Sequence, residues 1–263
     1  MNSCFKNISF LCLVFQFNYI YSDRFGDPGE VIAIEATSSD AENNLTIIID
    51  DSLYKLIPLP FDKQNSFIET SGQRISINQK DFGQSKIKIE NKSMVNLSKL
   101  DYERTLKESK MIQSAVYSFS KSLSPDLNFI KPVEGIISSR YGKKRFINDQ
   151  PRSPHLALDI AAAEGTKIIS PSKGTVILIG DFFYSGNFIV VDHGFGLVSS
   201  YSHLSKITVK ENELINKGQK IGEVGSTGRV TGPHLHWTVY LNKVKINPES
   251  LINENFLTSL LKL

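Results

Sequence analysis

His234-Leu235-His236-Trp237-Thr238-Val239-Tyr240 alternates apolar Leu235, Trp237 and Val239 with His234, His236, Thr238 and Tyr240. A period of two is that of a β-strand with one buried face, and it points both histidines to the same side. Upstream, His155-Leu156-Ala157-Leu158-Asp159 has the same period, with Leu156, Leu158 and Ile160 opposite His155, Ala157 and Asp159. Read as a helix, the segment would still align His155 with Asp159 at i and i+4, and Ala161-Ala162-Ala163 would suit that helix. Either conformation lets the pair chelate. Of the five histidines in the chain, three fall in these two segments and a fourth, His203, lies between them in Tyr201-Ser202-His203-Leu204. Two imidazoles and a carboxylate fill three positions of a catalytic zinc site and leave the fourth for water. A hydrolytic metalloenzyme is therefore expected.

Outward from these segments the chain reads as strands separated by turns. Residues 174–180, 187–192 and 197–201 are strand-like runs between glycine turns, which predicts a mostly antiparallel sheet of hairpins. Residues 31–35, 45–49, 53–57, 74–77 and 87–90 also read as strands, with Asn43-Asn44, Asp50-Asp51 and Ser71-Gly72 as turns. They fit a small β-sandwich. Between the two regions Leu106, Ile112 and Val116 recur at helical spacing among Glu103, Arg104, Lys107, Glu108 and Lys110, whose charges read as a solvated face. The expected organisation is a signal peptide over 1–22, an N-terminal β domain over 23–100, a connecting helix over 101–124, a β domain carrying the zinc-site segments over 129–250 and a tail over 251–263.

Composition bounds the remaining classes. The 263 residues are 40% hydrophobic and 22% charged, ordinary globular values with room for one large or two modest domains. A net charge of +3 suits an anionic envelope and is too small to argue nucleic-acid binding. Lys6 followed by the apolar run Ile8 to Phe15, with Ser22 before Asp23, has the form of a short secretory signal. That run is too short for a membrane span, and Phe10-Leu11 before Cys12 is not a lipoprotein signal. Cys4 and Cys12 both lie in this segment. Without it the chain has no thiolate ligand or disulfide, so zinc would be held by His and carboxylate.

The order His155-x-x-x-Asp159, Tyr201-Ser202-His203-Leu204, Gly232-Pro233-His234-Leu235-His236 resembles the lysostaphin-type (LytM-like) zinc metallopeptidases, the peptidoglycan DD-endopeptidase family. Supporting blocks are Gly135-Ile136-Ile137-Ser138-Ser139-Arg140-Tyr141-Gly142, Asn187-Phe188-Ile189-Val190-Val191-Asp192-His193-Gly194 and Gly222-Glu223-Val224-Gly225-Ser226-Thr227-Gly228. The resemblance covers about residues 129 to 250. It implies a mainly β protein whose LytM-type antiparallel sheet hydrolyses peptide cross-links of bacterial peptidoglycan by metal-activated water attack. Carried over by position, it makes His155, Asp159 and His236 the Zn2+ ligands and His203 and His234 the catalytic residues. The implied location is the periplasm or cell envelope, with peripheral envelope contact, a monomeric state and no nucleic-acid partner.

Other residues are read more plainly. His193 follows Asp192 before Gly194 and is expected in a turn or supporting contact outside the site. Trp237 points away from the histidines, into the core. Arg152, Ser153 and Pro154 are candidates to line the groove. The competing function is a non-catalytic wall-binding or amidase-activating regulator of the same fold. Such regulators are eroded at the ligand positions, whereas this chain keeps all five groups.

Overall fold

The computed structural model describes residues 24–90 and 92–260. The expected signal segment, Cys4 and Cys12 lie outside the described residues, as does Leu261 of the tail. The fold is mainly β, as the alternation predicts, and its centre is a ten-stranded sheet. Leu214–Ile215, Gly174–Phe182, Gly186–Gly194, Leu197–Ile207, His234–Leu241, Leu158–Ala161 and Ile136–Ser139 follow one another across it. All their pairings are antiparallel. The apolar face of the His234–Leu241 strand drives its burial: Leu235, Trp237 and Val239 are fully enclosed, in one cluster with Leu158, Ile160, Ile189, Val191 and Tyr201.

Two three-stranded sheets make up the N-terminal region. Arg24–Gly26, Gln73–Ile77 and Ser66–Thr70 form one; Val31–Glu35, Ser52–Pro58 and Thr46–Ile49 form the other. They face each other across Ile32, Ile34, Ile57, Leu59, Ile75 and Ile77, which is the small sandwich expected. Asp50 and Asp51 (φ 47° and 61°) and Ser71 and Gly72 (φ 48° and 70°) turn the hairpins in the left-handed conformations that two-residue loops require.

The run read as a strand over 87–90 is displaced. The strand is Gln84–Ile87, and it pairs in parallel with Lys144–Ile147, some sixty residues away in sequence. Its partner supplies the apolar contacts that a single-strand pattern cannot reveal. The helix spans Lys99–Val116, capped by Ser98, whose Oγ accepts from Asp101 N at 3.1 Å. It packs against the sheet through Ile112, Ala115 and Val116 and stops short of residue 124. The tail docks by Phe256 and Leu260, both buried, with only one helical turn at Phe256–Ser259. Among the described residues no helix is long and apolar enough to cross a membrane.

Candidate active site

Strand register builds the site. His236 stands opposite Asp159 on one neighbouring strand and Ser202 on the other, while His234 stands opposite Ala161. Directly opposed residues in antiparallel strands share a face, so His236 and Asp159 meet there. His155 arrives differently from either expected reading. The strand begins at Leu158, and His155 lies in the irregular segment before it. Its backbone is pinned to the neighbouring segment at Gly142 and Lys143, its N–H donating to Lys143 O at 2.8 Å and its carbonyl accepting from Gly142 N at 2.7 Å. Ala161 closes the strand and no helix follows it.

Three donor atoms converge. His155 Nε2 lies 3.0 Å from Asp159 Oδ1 and 3.3 Å from His236 Nδ1, and His236 Nδ1 lies 2.7 Å from the same Oδ1. His155 is fully buried and Asp159 nearly so. The Nδ1–H of His155 donates to Arg140 O at 3.1 Å, with Ser139 Oγ at 3.2 Å. This leaves the Nε2 lone pair facing a carboxylate oxygen, an approach of two acceptors that a shared proton or a cation relieves. A tetrahedral ion with bonds of about 2.0–2.2 Å spaces its ligand atoms roughly 3.3–3.5 Å apart. The observed separations of 3.3, 3.0 and 2.7 Å lie at the lower limit of that range or below it, so the residues fit a zinc ion once Asp159 and His236 part by roughly half an ångström.

The charge state fits as well. Burial opposes ionisation of Asp159, but protons carried towards it by the imidazoles of His236 and His155 outweigh it and hold the carboxyl well below the ordinary range, a place that a cation can take over. Burial, against the pull of Asp159, pushes His236 down to about 4. An ionised carboxylate beside neutral imidazole is the state a divalent cation requires.

His203 and His234 flank the cluster. Their rings are 4.9 Å apart, and the His203 ring is 5.8 Å from that of His236. In a regular strand His203 would point away from the site, since its neighbour Ser202 already lines it. A β-bulge reverses this: Asn187 pairs with Leu204 and Ile189 with Tyr201, so one residue opposes two. His203 takes φ 69°, a left-handed conformation unusual outside glycine. Its Nδ1–H donates to Thr227 O at 2.9 Å and that of His234 to Gly232 O at 2.9 Å, so each ring is oriented by a carbonyl and keeps Nε2 free as an acceptor. Burial and the neighbouring rings of His236 and His234 push His203 down to about 3, so it is neutral.

These groups open on a cavity of about 430 Å³. Its walls include Ser138, Ser139, Tyr184, the loop from Arg229 to Pro233, and Ser85, Ile87 and Ile89 from the N-terminal region. Arg152, Ser153 and Pro154 line an adjoining cavity rather than the main groove. His193 is absent from both: it is wholly buried in the sheet, bonded to Lys173 O and Ser199 Oγ. Sequence reasoning missed Arg145, Arg229 and Tyr184, which no metal motif marks, and the 85–89 wall, which depends on the long-range parallel pairing.

Such a groove, with a His–Asp–His cluster on and beside neighbouring antiparallel strands and two further imidazoles next to it, has the make-up of a hydrolytic metal site in a β-sheet protein. The profile of peptidase family M23 matches residues 153–248. A crystal structure from Pseudomonas aeruginosa, described as a candidate M23 peptidase, superposes with a TM-score of 0.66 at 30% identity, covering 86% of this chain and 94% of that one. The chain belongs to peptidase family M23. Among curated relatives, peptidoglycan DD-endopeptidase ShyA of Vibrio cholerae is 38% identical over 112 residues, 42% of this chain and 26% of that protein. Peptidoglycan DD-endopeptidase ShyB of the same organism is 43% identical over 86 residues, 33% of this chain and 20% of that protein. The aligned segment thus spans only 26% and 20% of the length of these two relatives.

Proposed function

We propose that this protein is a zinc-dependent endopeptidase that hydrolyses peptide cross-links of bacterial peptidoglycan in the periplasm or cell envelope. The observation that carries the reading is the convergence of His155 Nε2, Asp159 Oδ1 and His236 Nδ1 within 4.8 Å of one another, with Asp159 and His236 lining the groove. The DD-endopeptidase names of ShyA and ShyB support the bond class, and that substrate supports the location.

In this reading His155, Asp159 and His236 hold the ion. When bound, zinc would supply Lewis acidity to the scissile carbonyl and acidify water to a pKa of about 7. The extended substrate lies along the 430 Å³ groove between the Arg229-to-Pro233 loop and the 85–89 wall. His203 and His234 present Nε2 acceptors towards the reacting groups: one receives the proton of the attacking water, and once protonated such a ring can stabilise the developing oxyanion. The enclosing strands hold both rings at fixed angles, so little reorganisation is needed during reaction.

Digestion of purified sacculi, with metal content measured in parallel, tests the reading. His155→Ala is expected to lose zinc and cleavage together. His203→Asn, whose side chain suits the left-handed backbone, is expected to keep zinc and lose about 100- to 10,000-fold in rate. Zinc and cleavage persisting in His155→Ala would refute the assignment.

A further inference from the structure

Beside the His–Asp–His cluster lies a second cavity of about 240 Å³ that contains Arg145, Arg152, Arg229 and Lys245. It adjoins the catalytic groove, since Arg145, Arg229 and His236 line both. No carboxylate lines it, and among the described residues none of the four cations forms an ion pair. Their other partners are weak or neutral. Arg152 donates to Pro151 O and Gln150 Oε1; Arg229 donates to Met94 O at 3.4 Å and lies over the Tyr184 ring at 4.1 Å. Arg145 retains a buried Nε–H without any partner.

Four like charges gathered beside a buried, unsatisfied donor cost free energy. The cost registers in the groups themselves. Burial and the charges of Arg145 and Arg152 lower the pKa of Arg229, and burial and Arg145 lower that of Lys245. Within the fold the Asp159 carboxylate offsets part of the cost at Arg145 and Tyr184 part of it at Arg229, whereas an anion in the cavity would satisfy the whole cluster. Guanidinium forks match a carboxylate in two parallel hydrogen bonds. His155 and His236 form part of the same wall, so an anion held here lies next to the bond being cut.

We propose that this basic cavity is a specificity subsite that takes a free carboxylate carried by the substrate peptide on the residue adjoining the scissile bond, with Arg145 and Arg229 as its principal donors. The inference rests on the peptidase reading above and adds the chemistry the substrate must carry. A free phosphate polymer would satisfy the same donors but would bring no amide to the His–Asp–His cluster. The carboxylate can come from a chain terminus or from a diamino-acid residue within the cross-link.

The test uses full-length, zinc-loaded protein and synthetic cross-linked peptides sharing one scissile amide. One series carries the adjoining carboxylate at a chain terminus, a second carries it on an internal diamino acid, and each has a carboxamide counterpart. For the wild type, kcat/KM on the acid should exceed that on its carboxamide by about 10- to 100-fold, the worth of a hydrogen bond to a charged group. The series with the larger gap identifies the source. Added salt should narrow the gap. Arg145→Gln and Arg229→Gln should bring the acid-to-carboxamide ratio towards one while zinc content stays at the wild-type level. Calorimetry with uncleavable acid and carboxamide peptides gives a readout independent of turnover, and wild type should bind the acid more tightly. Equal rates and equal binding for acid and carboxamide would overturn the subsite, as would loss of zinc in Arg145→Gln with an unchanged ratio, which would make Arg145 only a prop for Asp159. Failure to cleave either peptide while still preferring the acid in binding would count against the peptidase reading and leave the subsite standing.

Discussion

At the scale of single residues, the five histidines divide by what their ring nitrogens meet. His193 is enclosed in the sheet, giving Nδ1–H to Lys173 O at 2.7 Å and bonding Ser199 Oγ through Nε2 at 2.8 Å. Burial pushes its pKa down from 6.5 to about 4. The unfolded chain therefore binds a proton here that the folded chain refuses, so this contribution to stability is present above about pH 6.5 and is lost as the pH falls towards about 4. His193→Gln can keep a donor and an acceptor but cannot titrate. Its stability deficit relative to wild type, measured by urea denaturation, should shrink by about 2 kcal/mol between about pH 7 and about pH 5. A deficit independent of pH would contradict the assignment. Metal-type residues were readable in sequence because imidazole and carboxylate are rare and recur at fixed spacing. Arg145 and Arg229 were not, since arginine is common on surfaces and its partners are known only once the chain is folded.

At the scale of elements, the segment from Gly225 to Pro233 sets the position of His234 and carries Arg229 into the groove. Thr227 ties it down, accepting from Asn187 N at 3.0 Å and donating to Leu204 O at 2.9 Å. Two glycines permit the close approach. A Cβ on Gly225 would sit 2.7 Å from Ser205 Cα; one on Gly228 would meet the Gly186 backbone and lie 2.6 Å from Tyr184 O, at φ 75°. Gly232 has open space around it, so a methyl group there would meet nothing. Gly228→Ala should accordingly destabilise by about 1–3 kcal/mol and lower the melting temperature by several degrees, with cleavage reduced as His203 and Arg229 shift. Gly232→Ala should melt like the wild type, and equal melting of the two variants would remove the steric account. Strands flanked by local turns were legible because hairpin register is a short-range matter. The bulge that turns His203 inward was not, because it arises from pairing with a separate strand.

At the scale of the whole molecule, the N-terminal strands and the catalytic sheet share one apolar interior. Val31, Ala33, Leu45 and Leu56 belong to the same buried cluster as Leu158, Leu235 and Trp237. Ala33 N donates to Leu260 O at 2.9 Å, and Asn247 N donates to Gly29 O at 2.8 Å, so the chain is also stitched from its far end back to its beginning. The sequence boundary drawn near residue 100 therefore marks a change of composition more than a gap in packing. Contacts of this kind are non-local, and periodicity along one strand reports that a face is buried without saying against what. The shared interior predicts a coupled unfolding that can be read directly. Trp237 is the single tryptophan of the chain and is fully buried in the catalytic sheet, so its fluorescence reports that sheet alone. Leu56, equally buried, stands on the N-terminal Ser52–Pro58 strand. Leu56→Ala should lower the stability reported by Trp237 by about 2–5 kcal/mol, the range for a leucine-sized cavity, and the Trp237 transition should coincide with the loss of total β signal by circular dichroism. An N-terminal region that melted separately would leave the Trp237 midpoint where it is in the wild type, and the single interior would then be wrong.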